Sequence, residues 1–331
     1  MTRFSVRTVA APTHPDESRY DLRTLLGPIE LPNPVLTASG CAAAGRELSQ
    51  FFDVSKLGAV VTKSIQLRAR SGRPTPRMAE TPSGMLNSIG LQGPGIDAFL
   101  REDLPWLAHH GARAVVSIAG SSTDEFVALT RRLYGNRAVS MIEVNISCPN
   151  VENRGEVFAC DPNATARVIG AVRRAADPHT PVFAKLTPDV TDITVIARAC
   201  ADAGADGLSL INTLLGLEID VDRMVPVLGG VTGGLSGPAI RPVALRCVWQ
   251  VHQALPHLPI LGMGGIRTGL DALRFLLAGA SAVSVGTAVF GDPDAPIRVL
   301  HELEEALGER DFASVHDAVG QAHRQRAMVR T

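Results

Sequence analysis

Cys148 is the residue of this chain best placed to exchange a proton with a bound molecule. It follows the strand-like run Glu143-Val144-Asn145-Ile146-Ser147 and precedes Pro149-Asn150, so a thiol lies between two amides where an apolar segment ends. Pro149 biases Cys148 toward extended geometry and offers no N–H to a further ladder. A free thiol has a pKa of about 8.5, so it acts as a base at neutral pH only if a neighbour or a closing loop tunes it. The stretch that follows, Val151-Glu152-Asn153-Arg154-Gly155-Glu156, is polar enough to be such a lid. A lone cysteine on an apolar strand is ordinarily an inert core thiol; the amides, the proline and the long loop favour the base here. Nucleophilic catalysis is the rival active role and needs a histidine from elsewhere in the chain.

Two lysines also end apolar runs, Lys63 in Val60-Val61-Thr62-Lys63-Ser64 and Lys185 in Phe183-Ala184-Lys185-Leu186. An inward-facing lysine is costly unless its charge is used or paired. It could stabilise the negative charge that a reduced flavin gathers at its N1–C2=O2 edge. It could equally form a Schiff base in a barrel lyase, or simply reach to the rim. Asn87, Asn145, Asn150 and Asn212 stand on or just beyond strand-like runs and suit a flat ring of alternating N–H and C=O groups, although single asparagines at such places are commonly turn residues. Gly262-Met263-Gly264-Gly265 and Gly286-Thr287 end the last two runs. Bare N–H groups there would face a phosphate. The first glycine set fails as a dinucleotide fingerprint because Arg267 stands where a third glycine belongs.

The elements that would position these groups alternate. Strand-like runs fall at 35–39, 59–64, 114–120, 141–147, 182–187, 207–213, 259–265 and 282–289. Helical patterns fall at 47–56, 95–110, 122–134, 164–176, 192–203, 238–255, 269–278 and 295–307, with a last one at 311–323. Eight strands each followed by a helix predict an α/β (β/α)8 TIM barrel, and 331 residues exceed the ~250 of a plain one. The excess lies in loops 65–93, 148–163 and 214–237. All three leave the C-terminal ends of strands, the face where barrel active sites are built. An open doubly wound sheet is the competing architecture. Residues 1–20 read as an N-terminal extension and 21–331 as one catalytic domain.

A formal charge of −1 and 4% aromatic residues argue against nucleic-acid binding, which wants a basic face or stacking platforms. No apolar run approaches the ~18 residues that span a bilayer, and the polar N-terminus does not read as a signal peptide, so the expectation is a cytoplasmic protein acting on a small molecule. Cys41, Cys148, Cys160, Cys200 and Cys247 have no metal-site spacing, and no metal is expected.

With Asn145-Ile146-Ser147-Cys148-Pro149-Asn150, Lys63-Ser64 and Asn87-Ser88-Ile89-Gly90-Leu91 set together, the chain resembles the dihydroorotate dehydrogenases. Asn212-Thr213, Gly233-Gly234-Leu235-Ser236-Gly237-Pro238, the two glycine pairs and the barrel pattern extend the likeness over nearly everything after residue 21. A cysteine at 148, where class 2 enzymes carry serine, is similar to class 1, and the motifs at 85–91 and 233–238 are closest to the class 1B catalytic subunit. The resemblance implies oxidation of dihydroorotate to orotate in pyrimidine biosynthesis, with FMN at the strand C-termini and Cys148 as the base for the C5 proton. It implies that Lys63 faces both flavin and substrate carboxylate. Asn87, Asn145, Asn212 and Thr213 would hold the ring, with Ser88, Ile89, Gly90 and Leu91 in the same substrate segment. Ser39, Ser64, Lys185 and Ile211, with Lys63 and Asn145, would line the isoalloxazine and ribityl chain, and Gly237, Gly264, Gly265, Gly286 and Thr287 would cradle the phosphate. Ser117 stands where the family commonly has asparagine near the flavin. The resemblance also implies a separate FAD and iron–sulfur electron-transfer subunit, in a homodimer or heterotetramer. Cys160, the stretch 152–156 and the N-terminal extension depart from the family pattern. An FMN enzyme for another dihydropyrimidine, a flavin-free Schiff-base lyase and a non-catalytic paralogue remain the alternatives.

Overall fold

The computed structural model describes residues 20–147 and 160–329. Eight short, mostly β-branched or leucine-rich strands form one parallel sheet: β1 (Val35–Thr37), β2 (Val60–Val61), β3 (Ala114–Ile118), β4 (Val139–Asn145), β5 (Val182–Leu186), β6 (Gly207–Leu210), β7 (Ile260–Met263) and β8 (Ala282–Val285). Their order is β1-β8-β7-β6-β5-β4-β3-β2. A parallel bridge between Leu36 and Ala59 joins β1 to the chain entering β2 and closes the ring. That closure makes a (β/α)8 barrel and sets aside the open doubly wound sheet.

Side chains alternate across each strand, and the two faces bury different cores. Ile142, Val144, Ala184, Leu186, Leu208, Leu210, Val283 and Val285 pack outward beneath the helices. Leu36, Val61, Val115, Met141, Phe183, Leu261, Met263 and Ala282 pack inward. Leu26 and Leu31 join the inward set from an antiparallel hairpin, Thr24–Leu26 with Ile29–Leu31, which thus belongs to the barrel's packed interior. The helices start where short polar side chains satisfy their first N–H groups: Ser122 accepts from Glu125 N, and Thr268 from Asp271 N. Thr268→Ala should cost ~1 kcal/mol, read as a lower denaturation midpoint with an unchanged denaturant slope.

Two expected helices are corrected. Residues 47–56 form two 3-10 turns, Leu48–Gln50 and Val54–Lys56, because Asp53 is extended and its carboxylate accepts from Ser55 N, starting the second turn afresh. Residues 311–323 do not form one helix; Val315–Ala318 stops at Val319, Gly320 adopts φ +69°, and Gln321–Val329 begins anew. Among the described residues no helix is long and apolar enough to cross a membrane.

The long loops hold structure that strand counting did not anticipate. In the loop after β2, Met78–Thr81 pairs antiparallel with Gly84–Asn87, which pairs with Gly233–Ser236 of the loop after β6, and that segment pairs in turn with Leu214–Gly216. One four-stranded sheet is therefore built from two excursions of the C-terminal face.

Behind the barrel, Gln321–Val329 docks on Arg241–Ala254. His323 stacks on Trp249 at 3.5 Å between centroids, and its Nε2 lies 3.0 Å from the Ala278 carbonyl. Desolvation, joined by the His323 and Arg324 charges, holds His252 below the ordinary histidine range; desolvation also lowers His323, against the pull of the Ala278 carbonyl. Both rings are thus easier to protonate in the unfolded chain, so stability present above about pH 6.5 falls as pH drops toward the lowered native values. Between pH 7 and 5.5 the wild-type melting temperature should fall more steeply than that of His252→Gln, and parallel slopes by calorimetry would refute the linkage.

Candidate active site

The strand C-termini open into a cavity of about 850 Å³. Period-two alternation explains much of its wall. Asn145 is the last residue of β4 and Lys185 is an inward residue of β5, directly paired in register. Lys63 follows β2, Ile211, Asn212 and Thr213 follow β6, Gly264 and Gly265 follow β7, and Gly286 and Thr287 follow β8. All of these line the cavity, as do Ser39, Ser64, Asn87, Ile89, Gly90, Leu91 and Gly237.

A chain of side-chain hydrogen bonds fixes how the amides face. Asn145 Nδ2 donates to Ser64 Oγ at 3.0 Å, and Asn145 Oδ1 accepts from Ser147 Oγ at 3.0 Å. Asn212 Nδ2 reaches Ser147 Oγ at 2.6 Å, while its Oδ1 accepts from Thr213 N at 2.9 Å. Asn87 Nδ2 donates to Gly234 O at 3.2 Å, across the sheet that joins the two loops. Three amides from three segments are therefore oriented before anything binds, which favours a planar ligand with fixed donors and acceptors.

Two candidates from the sequence do not line the cavity. Ser88 is buried beside Asn87 and accepts from Arg73 Nη1 at 3.2 Å, since neighbours on a strand point to opposite faces. Ser117 is wholly buried and stands 2.9 Å from Ser64 Oγ, so it meets the cavity only through that hydroxyl. Cys148, with Asn150 and residues 151–156 of the expected lid, lies outside the described residues.

Several residues of the site were missed. Ser147, buried behind the wall, links Asn145 to Asn212, and the Asn-x-Ser spacing at the end of a strand carried that signal. Cys41 lines the cavity beside both lysines; desolvation pushes its thiol up to about 11 despite their opposing charge, so it is a neutral S–H at physiological pH. Ser284, inward on β8, is buried with no hydrogen-bond partner for its hydroxyl among the described residues.

The glycine corner has anion-binding chemistry. Gly264 and Gly265 adopt φ +126° and +77°, and a Cβ at Gly265 would come 2.7 Å from Gly237 O. Among the described residues, the N–H groups of Gly264, Gly265, Gly286 and Thr287 have no hydrogen-bond partner. A run of unpaired N–H groups in a concave wall suits a phosphate. Cationic Lys63 and Lys185, oriented amides and this corner all open onto one cavity.

Residues 22–307 match the family model described as dihydroorotate dehydrogenase. The chain is 49% identical over 302 residues to a protein of Geobacter sp. (strain M21), covering 91% of this chain and 98% of the relative. It is 52% identical over 300 residues to one from Pelobacter propionicus, at 91% and 98% coverage, and 51% identical over 296 residues to one from Desulforudis audaxviator, at 89% and 95%. Each of these relatives is named dihydroorotate dehydrogenase B (NAD(+)), catalytic subunit.

Proposed function

This chain belongs to the dihydroorotate dehydrogenase family, and on that footing we propose that it oxidises dihydroorotate to orotate with FMN as its flavin and Cys148 as the base. The observation that carries the reading is the cavity wall itself: two lysines, a hydrogen-bonded row of amides and an unpaired N–H corner around one space. That donor set fits a flavin mononucleotide. Gly237, Gly264, Gly265, Gly286 and Thr287 would hold the phosphate, and Ser39, Ser64, Asn145, Lys185 and Ile211 would border the ring and ribityl chain.

The flavin, when bound, supplies the hydride acceptor that no side chain can provide. The chain's own groups do the rest. Asn87, Asn145, Asn212 and Thr213 hold the dihydropyrimidine ring flat, and Lys63 pairs with its carboxylate. Cys148 removes the C5 proton, which the neighbouring C4 carbonyl acidifies, as C6 gives up its hydride. The sheet that borders the cavity keeps water from the reacting face.

Anaerobic addition of dihydroorotate should bleach the yellow protein. A flavin that stays oxidised would make the chain a non-catalytic paralogue, and bleaching by dihydrouracil but not dihydroorotate would assign it to another pyrimidine. Because the relatives are named as catalytic subunits, a separate subunit carrying FAD and an iron–sulfur cluster is the proposed electron outlet. NAD reduction should then need that subunit, whereas dye reduction should not.

Gly265→Ala tests the phosphate corner. The new methyl would crowd Gly237 O and sit at a positive φ that costs ~1–3 kcal/mol. FMN affinity should fall about tenfold or more while riboflavin affinity changes little, measured by quenching of flavin fluorescence; equal losses for both would remove the phosphate from this corner.

A further inference from the structure

Glu143 is a buried carboxylate that the chemistry above does not use. It lies on β4 two residues before Asn145, on the inward face, and is 0% exposed. Among the described residues, the buried side-chain oxygens without a hydrogen-bond partner are both carboxylate oxygens of Glu143 and the hydroxyls of Ser209 and Ser284. Alternation turns all three residues into the barrel: the neighbours of Ser209 and Ser284 on β6 and β8 pack outward with the helix-facing core. The cation near Glu143 is Lys185, whose Nζ stands 3.7 Å from Oε1 with its side chain 5% exposed. A carboxylate sunk in a barrel interior with one cation and no hydrogen bonds is a poor stabiliser of the fold, because such pairs need added hydrogen bonds to offset desolvation. Its consequence is electrical.

We propose that Glu143 is a positioning residue whose charge damps the field of Lys185 at the flavin and thereby sets the flavin's reduction potential. The proposal rests on the FMN reading, in which Lys185 borders the isoalloxazine. A cation beside the ring favours the electron-rich reduced state, and a nearby anion opposes that preference. Loss of the anion could act in two ways, by releasing the cation's field or by releasing the lysine itself. The first wins, because Lys185 is 4% exposed and opens only onto the cavity that the flavin would fill. Glutamine keeps the shape of Glu143 and removes the charge.

The test compares the FMN-loaded wild type with Glu143→Gln, Lys185→Met and the double variant, by equilibration with reference dyes alongside thermal melting. Glu143→Gln should bind reduced relative to oxidised flavin roughly tenfold more tightly than wild type does, a rise of about 30 mV for a two-electron couple. Lys185→Met should move the potential the other way. A purely structural Glu143 would change the melting temperature and leave the potential alone. If Glu143→Gln does not fold, the double variant, which has no unpaired charge, is set against Lys185→Met; it should have the higher potential, and equality overturns the proposal. A wild type that binds no flavin sinks the FMN reading together with this one. A flavin-binding wild type whose potential ignores Glu143→Gln sinks only the counter-ion role.

Discussion

Lys63→Met is expected to lower kcat/KM for dihydroorotate by about 10²- to 10³-fold, a loss of ~3–4 kcal/mol, in a protein that still folds. The backbone of Lys63 is held independently of its charge, with its N–H donating to Ala43 O at 2.8 Å, and methionine preserves most of the stem. What disappears is the ammonium proposed to pair with the substrate carboxylate. Removing one member of a desolvated pair leaves the other stranded, and that penalty exceeds the net worth of an exposed ion pair. The loss should divide between the two constants. KM rises because the carboxylate is held alike in ground and transition states, and kcat falls because a positive charge leaves the side of the ring that gains electrons. Steady-state kinetics with a dye acceptor separate the two, and values within twofold of wild type would take Lys63 out of the substrate site. Lys185→Met is the contrasting variant, expected to alter the flavin's potential while leaving KM near wild type.

How much of this site the sequence exposes follows from the range of each contact. Lys63, Asn145, Lys185 and Ile211 sit at or just past strand ends, where a local apolar run and its period of two are enough to aim them inward. Asn87 needed more. Its orientation depends on pairing with Gly234, 147 residues away, and strand-like runs inside a loop carry no signal of which partner they will choose. The same limit hid the four-stranded sheet. Ser88 and Ser117 show the converse difficulty: each belongs to a motif that touches the cavity, yet Ser88 turns away by one step along an extended chain, while Ser117, inward on β3, is screened from the cavity by Ser64. Glu143 reads in sequence as an interruption of a hydrophobic strand, and only the register of β4 against β5 shows that Lys185 answers it. The helix expected over 47–56 was lost to a local event, the Asp53 carboxylate capturing Ser55 N.

Cys148→Ala should keep the flavin and lose about 10²- to 10⁴-fold in the rate of anaerobic flavin bleaching, the range typical of a missing general base. In sequence Cys148 directly follows Ser147, whose hydroxyl ties Asn145 to Asn212. Alanine leaves that hydrogen-bonded row intact, and substrate affinity, read from the concentration dependence of bleaching, should change little. Serine distinguishes proton transfer from other roles of the thiol. A hydroxyl is a far weaker acid than a thiol, so less of it is ionised at any given pH, and Cys148→Ser should recover rate as pH rises, with its profile displaced to the alkaline side of wild type. An unchanged profile in Cys148→Ser, or full bleaching by Cys148→Ala, would leave the C5 proton to another group. The neutral Cys41 thiol also lines the cavity, and it is poorly suited to that role: desolvation has raised it to about 11, so taking its proton away costs more than ionising an ordinary thiol. Cys41→Ala should therefore bleach at close to the wild-type rate, and the pair of alanine variants assigns the base to one cysteine or the other.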